Sequence, residues 1–260
     1  MHLDQQPLNT KRTLGLEWDS ESDCFVFVVE GWQGDSTRRS LLSYVASVFD
    51  PLGLVAPCVL PSKLLIQDLT RRKAEWDETM TPDEISRWKY CLRELQSVQR
   101  LRINRCLSSP ALEGIAKSEL HAFSDASEIG YGATVYLRIF SSGGGVKCSL
   151  LMAKSRVAPL KSVTIPRMEL AGAVLSVKLV NFVKEELTIP LNSVTFWTDS
   201  VVVLHYIRNR STRFDVYTSN RLTFIREHSQ VEQWFYVETK RNPADLASRG
   251  TTAKRELDDM

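Results

Sequence analysis

Residues 120–127 read LHAFSDAS and residues 194–200 read VTFWTDS. Each stretch is a β-prone apolar run that ends in an aspartate, Asp125 in the first and Asp199 in the second. Between them, a long run of apolar residues at helical spacing carries Glu169 near its start. Strand ends and helix starts hold the backbone in place while their side chains reach a common site. These three carboxylates are therefore candidates for one functional site.

The elements around these acids predict an α/β domain. Three consecutive strands are expected at 120–124, 131–137 and 149–153, and the turn SSGGG at 141–145 joins the second to the third. Further strands are expected at 194–198 and 234–237, and helices at 166–186, 200–207 and 214–228. Three strands in succession, followed by alternating helices and strands, indicate a mixed five-stranded sheet flanked by helices.

The preceding part of the chain is predicted to be smaller and mainly helical. Two short strands are expected within residues 14–29. One helix should begin near Thr37 and end before DPLG at 50–53, because proline and glycine end helices. The clearest helix covers residues 81–100, since its first residues, TPDE, form a capping box. The irregular stretch 104–117 is the best boundary between the two regions.

Composition restricts the class of protein. The chain has 33 basic and 31 acidic residues, a net charge of +2, so a nucleic-acid partner would have to be bound by a local basic patch. The five cysteines form no C-x-x-C pair, which is typical of reduced thiols in an intracellular protein. The chain shows neither a signal peptide nor an apolar run of the roughly 20 residues that span a bilayer, so no membrane association is expected.

A fourth acid, Asp245, lies in NPADLASRG at 242–250. Four carboxylates in one place raise one another's pKa values unless cations compensate them, and hard oxygen ligands suit Mg²⁺ or Mn²⁺. Two such ions can activate water and stabilise the leaving oxygen in phosphodiester hydrolysis. Taken singly, each aspartate has an ordinary explanation as a cap or turn residue, and Glu169 as a partner of a helix dipole. The hypothesis rests on all four occurring in this order.

Longer motifs carry a family resemblance. They are LGLEWD (14–19), RSLLS (39–43), VFDPLG (48–53), FSDAS (123–127), AKSRVAPLK (153–161), IPRMEL (165–170), WTDS (197–200) and NPADLASRG (242–250). In this order they resemble the Pol polyprotein of BEL/Pao-type long-terminal-repeat retrotransposons. The resemblance implies that residues 118–250 form a ribonuclease H-like domain and residues 1–110 a region like the thumb and connection of a reverse transcriptase. Residues 251–260 are expected to form a disordered tail.

The same resemblance implies an activity, which is endonucleolytic hydrolysis of the RNA strand of RNA–DNA hybrids during reverse transcription. Asp125, Glu169, Asp199 and Asp245 match the ribonuclease H acids and are expected to be both catalytic residues and ligands of two Mg²⁺ or Mn²⁺ ions. The expected partners are the hybrid and the upstream reverse transcriptase palm domain of the same polyprotein. The expected location is a cytoplasmic retroelement particle or the nucleus, with no membrane.

Some features depart from the family pattern or exclude related activities. The last loop, residues 237–242, lacks the mobile histidine of many ribonucleases H, and the interval to Asp245 is one residue shorter than usual. The Asp-Asp pair of a polymerase hairpin is absent, since the only adjacent aspartates are at 258–259. An aspartic protease needs Asp-Thr/Ser-Gly, whereas residues 199–201 read DSV, so the peptidase label attached to this family region has no support here.

Several side chains are candidates for nucleic-acid contacts, because a hybrid presents 2′-hydroxyls and phosphates beside the cleaved bond. These candidates are Ser127, Lys154, Arg156, Arg167, Asn209 and Asn242. The basic members equally suit a solvated loop that binds nothing. Two other functions remain open: a catalytically silent nucleic-acid-binding or scaffold remnant of a transposon polyprotein, and, more weakly, an integrase-type strand transferase on the same fold.

Overall fold

The computed structural model describes residues 11–13, 16–107 and 114–251. Leu14, expected in the first strand, lies outside these ranges, as do residues 108–113 of the expected boundary and residues 252–260 of the expected tail. Within the described ranges, no helix has the length and apolar character needed to cross a membrane.

In the first part of the chain, residues 11–107, the described residues form a small antiparallel sheet and three α-helices. The sheet has the order β1-β2-β3-β4, with β1 at Lys11–Thr13, β2 at Leu16–Asp19, β3 at Cys24–Val26 and β4 at Ile103–Asn104. The helices are α1 (Arg38–Ser47), α2 (Ala56–Arg71) and α3 (Pro82–Ser97). The helices expected at residues 37 and 81 are confirmed, because Thr37 and Thr81 cap α1 and α3 with their side chains.

The sequence pattern does not predict α2, because this helix contains Pro57 and Pro61. Pro57 lies in the first turn, where the missing N–H costs nothing. Pro61 lies inside the helix and has no N–H to donate to the carbonyl of Pro57. The amide of Thr251 donates to that carbonyl instead, at 3.3 Å. Thr251, expected in a disordered tail, is therefore buried against α2.

The second part of the chain is built on a five-stranded sheet of order β7-β6-β5-β8-β9. Its strands are β5 (Ile115–Ala126), β6 (Gly130–Ser141), β7 (Val146–Val157), β8 (Ser193–Thr198) and β9 (Trp234–Tyr236). Its helices are α4 (Ile165–Glu186), α5 (Val201–Arg208), α6 (Val216–His228) and α7 (Ala244–Arg249). β5, β6 and β7 are antiparallel, whereas β8 runs parallel to β5 and β9 parallel to β8. The predicted mixed five-stranded sheet with flanking helices is confirmed.

The two faces of this sheet have different partners. Leu120 and Ala122 of β5 are buried in one apolar core with Leu170 and Val177 of α4. Because side chains alternate along a strand, Asp125 projects from the other face. There it contacts α7, which packs across β5 and β6.

The first part of the chain packs closely against strand β7. The amide of Ala153 donates to the carbonyl of Leu52 at 2.8 Å, and Leu52 packs against both apolar cores. The next residue, Gly53, has φ +73°, and a Cβ there would lie 1.8 Å from the carbonyl oxygen of Ala153. Only glycine fits this joint, because it combines a left-handed backbone with direct backbone contact.

Candidate carboxylate site

The four predicted acids lie at one end of the five-stranded sheet. Asp125 is the penultimate residue of β5, and Asp199 directly follows β8, the parallel neighbour of β5. Glu169 lies one turn into α4, and Asp245 lies in the first turn of α7. The charge of Asp199 acts on both Asp125 and Glu169, and the charge of Asp245 acts on Asp125. The structure therefore brings these acids within electrostatic range of one another.

Asp125 is the most buried of the four, with a relative exposure of 5%. The pKa of its carboxyl is raised from 3.8 to about 7, first by burial and also by the charges of Asp199 and Asp245. The hydroxyl of Ser248 donates to Asp125 Oδ2 and opposes this rise. Ser248 is itself fully buried. It lies on α7, three residues after Asp245, and fixes the position of the Asp125 carboxylate.

Glu169 is held from the start of the neighbouring helix α5. Ser200 Oγ donates to Glu169 Oε2 at 2.5 Å and also accepts the amide of Val203, capping α5. Burial raises the pKa of the Glu169 carboxyl, the Ser200 hydrogen bond lowers it, and the charge of Asp199 raises it again. One hydroxyl thus couples the cap of α5 to the Glu169 carboxylate.

The other two acids are held by the last loop and by α7. Thr239 Oγ1 donates to Asp199 Oδ2 at 2.8 Å, and Asn242 Nδ2 lies 3.4 Å from Asp199 Oδ1. Asp245 accepts a hydrogen bond from the guanidinium of Arg249, one turn later on α7. Asp245 therefore has a cation beside it within its own helix.

The oxygen atoms of these four carboxylates are of the chemical type that binds divalent cations. They are hard oxygen ligands. Besides burial, the charges of Asp199 and Asp245 raise the pKa of Asp125, and a bound cation would relieve this repulsion. Among the described residues, no three acid, histidine or cysteine side chains are arranged to hold an ion together. Each carboxylate is instead turned to a protein donor; these donors are Ser248, Ser200, Thr239 and Arg249.

The residues predicted to contact nucleic acid occupy different surroundings. Ser127 is buried, and its hydroxyl donates to the carbonyl of Ser248 at 2.8 Å, which anchors α7. Asn242 is also buried and donates to the carbonyl of Ser124 at 3.0 Å, so it ties the last loop to β5. Asn209 Oδ1 accepts the amides of two following residues and builds a turn after α5. These three contacts explain the residues structurally, and nucleic-acid binding by them stays a prediction.

The three basic candidates are exposed. Lys154 and Arg156 lie on β7 and line a cleft that faces the first part of the chain. Arg167 lies in the first turn of α4, where it forms an ion pair with Asp215 at 3.3 Å. Their roles also stay predictions.

Ser248 and Arg249 were not among the predicted site residues, although they follow Asp245 at i+3 and i+4. On a helix that spacing puts three side chains on one face, which is a signal the sequence contains. Ser200 and Thr239 carry no such signal, because their contacts join elements that are distant along the chain.

The pKa of Asp125 predicts how stability depends on pH in the absence of divalent cations. In the unfolded chain the carboxyl loses its proton near its ordinary value of 3.8, and in the folded chain near 7. Between these values the folded state binds more protons, so stability falls as pH rises from about 4 to about 7. In EDTA, the unfolding temperature of the parent should fall by several degrees more between about pH 5 and pH 8 than that of Asp125→Asn. Parallel pH profiles of the two proteins would contradict this.

A family model described as a Pao retrotransposon-like RNaseH-like domain matches residues 37–200. None of the curated proteins compared with the chain matches it.

Among solved structures, RNase H1 from the archaeon Halobacterium salinarum is 13% identical, with a TM-score of 0.34, and the match covers 56% of this chain and 100% of that one. LC11-RNase H1 in complex with an RNA/DNA hybrid is 12% identical, with a TM-score of 0.35, over 54% of this chain and 99% of that one. The foamy viral protease-reverse transcriptase in complex with dsDNA is 16% identical, with a TM-score of 0.29, over 88% of this chain and 45% of that one.

Proposed function

Because the chain belongs to the Pao retrotransposon-like RNaseH-like domain family, we propose that it is part of a retrotransposon Pol polyprotein and hydrolyses the RNA strand of RNA–DNA hybrids endonucleolytically. The observation that carries this proposal is the gathering of Asp125, Glu169, Asp199 and Asp245 at one end of the sheet. The proposed partners are the hybrid and an upstream reverse transcriptase palm domain. The proposed location is a cytoplasmic retroelement particle or the nucleus.

The four carboxylates are the proposed ligands of two Mg²⁺ or Mn²⁺ ions, which when bound supply activation of water and stabilisation of the leaving oxygen. The protein's own contribution is positioning. Ser248 and Ser200 hold Asp125 and Glu169 through single hydroxyls. The guanidinium of Arg249 neutralises Asp245. An added cation can take the place of this guanidinium beside the Asp245 carboxylate.

A second candidate function is a catalytically silent, nucleic-acid-binding remnant. Two observations favour it: the loop at 237–242 has no histidine, and Asp245 is already paired with Arg249. Such a protein would bind hybrids without a divalent cation and leave them intact.

A strand-resolved cleavage experiment tests the proposal. The whole chain is incubated with a hybrid whose RNA and DNA strands carry different fluorophores, in Mg²⁺, in Mn²⁺ or in EDTA. The expected result is internal cuts in the RNA strand alone, with either cation and not in EDTA. An intact RNA strand under all three conditions, with the hybrid bound, would instead support the silent remnant.

A further inference from the structure

A cleft of about 1020 Å³ lies between the first part of the chain and the edge of the five-stranded sheet. Helices α1 and α2 form one wall, and strand β7 and helix α4 form the other. The joint at Gly53 brings these walls together, because there the backbone of the first part contacts β7 directly. Both parts of the chain therefore form the walls of the cleft.

Five cations line this cleft, and three of them concern its two facing walls: Lys63 from α2, and Lys154 and Arg156 from β7. Lys63 is half-buried, and its pKa is lowered by burial first, then by the charge of Arg156, with a smaller contribution from Lys154. Within the described ranges, no side-chain hydrogen bond or ion pair within 4 Å satisfies any of the three.

The acid that lines the cleft with these cations does not neutralise them. Asp50 acts on Lys63 through its charge, but both of its carboxylate oxygens accept backbone amides, from Leu54 at 2.8 Å and Val55 at 2.9 Å. Burial also raises the pKa of the Asp50 carboxyl, which favours its neutral form. The cleft wall therefore keeps an excess of positive charge that an anion can compensate.

Further cations connect the cleft to the carboxylate site. Arg221 lines the cleft, and its guanidinium stacks 3.3 Å from the centre of the Tyr217 ring. The guanidinium of Arg167 lies 5.1 Å from the centre of the same ring, two residues before Glu169. Basic side chains thus flank Tyr217 between the cleft and the start of the helix that carries Glu169, where Arg167 is paired with Asp215.

We infer that this cleft binds the sugar-phosphate backbone of a nucleic acid, with Lys63, Lys154 and Arg156 neutralising phosphates. Unpaired cations along a cleft, with Lys63 half-buried and Lys154 and Arg156 exposed, match a polyanion of regularly spaced charges, and binding relieves the repulsion among them. The first part of the chain thereby contributes Lys63 to substrate binding. That the bound duplex is an RNA–DNA hybrid rests on the proposed function.

The test compares two triple variants of the whole chain that lose the same charge. Lys63→Gln/Lys154→Gln/Arg156→Gln removes three cations of the cleft, and the control Lys89→Gln/Arg93→Gln/Arg100→Gln removes three exposed cations outside it. Binding of a fluorescein-labelled hybrid is followed by anisotropy in EDTA, at several KCl concentrations, so that no cleavage occurs.

The cleft variant is expected to bind at least about 10-fold more weakly than the control variant. The slope of the logarithm of its association constant against the logarithm of the KCl concentration should be shallower than that of the control variant by about 3 units. Lys63→Gln alone should account for about 1 unit of that slope. The unfolding temperature of the cleft variant should equal or exceed that of the parent, because the substitutions remove like-charge repulsion.

Equal affinities and slopes of the two triple variants, or no binding by the parent, would overturn the inference. These outcomes are independent of catalysis. A parent that binds through the cleft in EDTA but leaves the hybrid intact in Mg²⁺ supports the cleft and contradicts the nuclease. A cleft variant that binds and cuts like the control contradicts the cleft alone.

Discussion

Asp125→Asn is expected to lower the rate of hybrid cleavage by at least about 10²–10³-fold, the loss typical of removing one preorganised electrostatic group from an active site. Asparagine keeps the size of the side chain and one oxygen that can accept the Ser248 hydroxyl, so the change is mainly one of charge. The measurement is the initial rate of RNA-strand cleavage at saturating Mg²⁺.

Asp83→Asn is the matched control for this change. Asp83 is exposed in the first turn of α3, far along the chain from the carboxylate site, and its substitution should leave the cleavage rate unchanged. The unfolding temperature of Asp125→Asn in EDTA near pH 8 should be at least that of the parent, because the substitution removes a buried charge. Cleavage by Asp125→Asn at the parental rate would show that this carboxylate is not catalytic.

Gly53→Ala is expected to cost about 2–5 kcal/mol of unfolding free energy, combining a left-handed backbone with overpacking. The new Cβ would lie 1.8 Å from the carbonyl oxygen of Ala153, which belongs to the backbone of β7 and cannot swing away. The joint between the two parts of the chain must then open. Equilibrium unfolding in urea measures the change.

Gly144→Ala separates the two contributions. Gly144 also has a left-handed backbone, with φ +87°, but a Cβ there would meet nothing within 4 Å. It should therefore cost only about 1–2 kcal/mol, the backbone contribution alone. Equal losses for the two alanine variants would contradict the close backbone contact at Gly53.

Local signals in the sequence predict much of the fold. Thr81 and Glu84 form the predicted capping box of α3, and the strand runs before Asp125 and Asp199 become the adjacent strands β5 and β8. β5 extends beyond its predicted start, because backbone pairing with β6 continues through polar residues such as Glu119. Local periodicity indicates that a strand exists more reliably than where it begins.

The features that sequence reasoning missed depend on contacts between distant parts of the chain. Helix α2 contains Pro61, and the amide that compensates for it comes from Thr251. The two-residue strand β4 exists only through its pairing with β3. The site itself shows the same division: the four acids stand out in the sequence, whereas the Ser200 and Thr239 hydroxyls that hold two of them do not.

The most direct test of the carboxylate site is a count of bound cations. Electron paramagnetic resonance of free Mn²⁺, titrated against the whole chain at about pH 8, should show about two ions bound per parent chain, as a two-metal site requires. Glu169→Gln and Asp199→Asn should bind fewer ions or bind them more weakly, and Asp83→Asn should match the parent. No Mn²⁺ bound by the parent, or the same binding curve for all four proteins, would contradict a divalent-cation site built from these carboxylates.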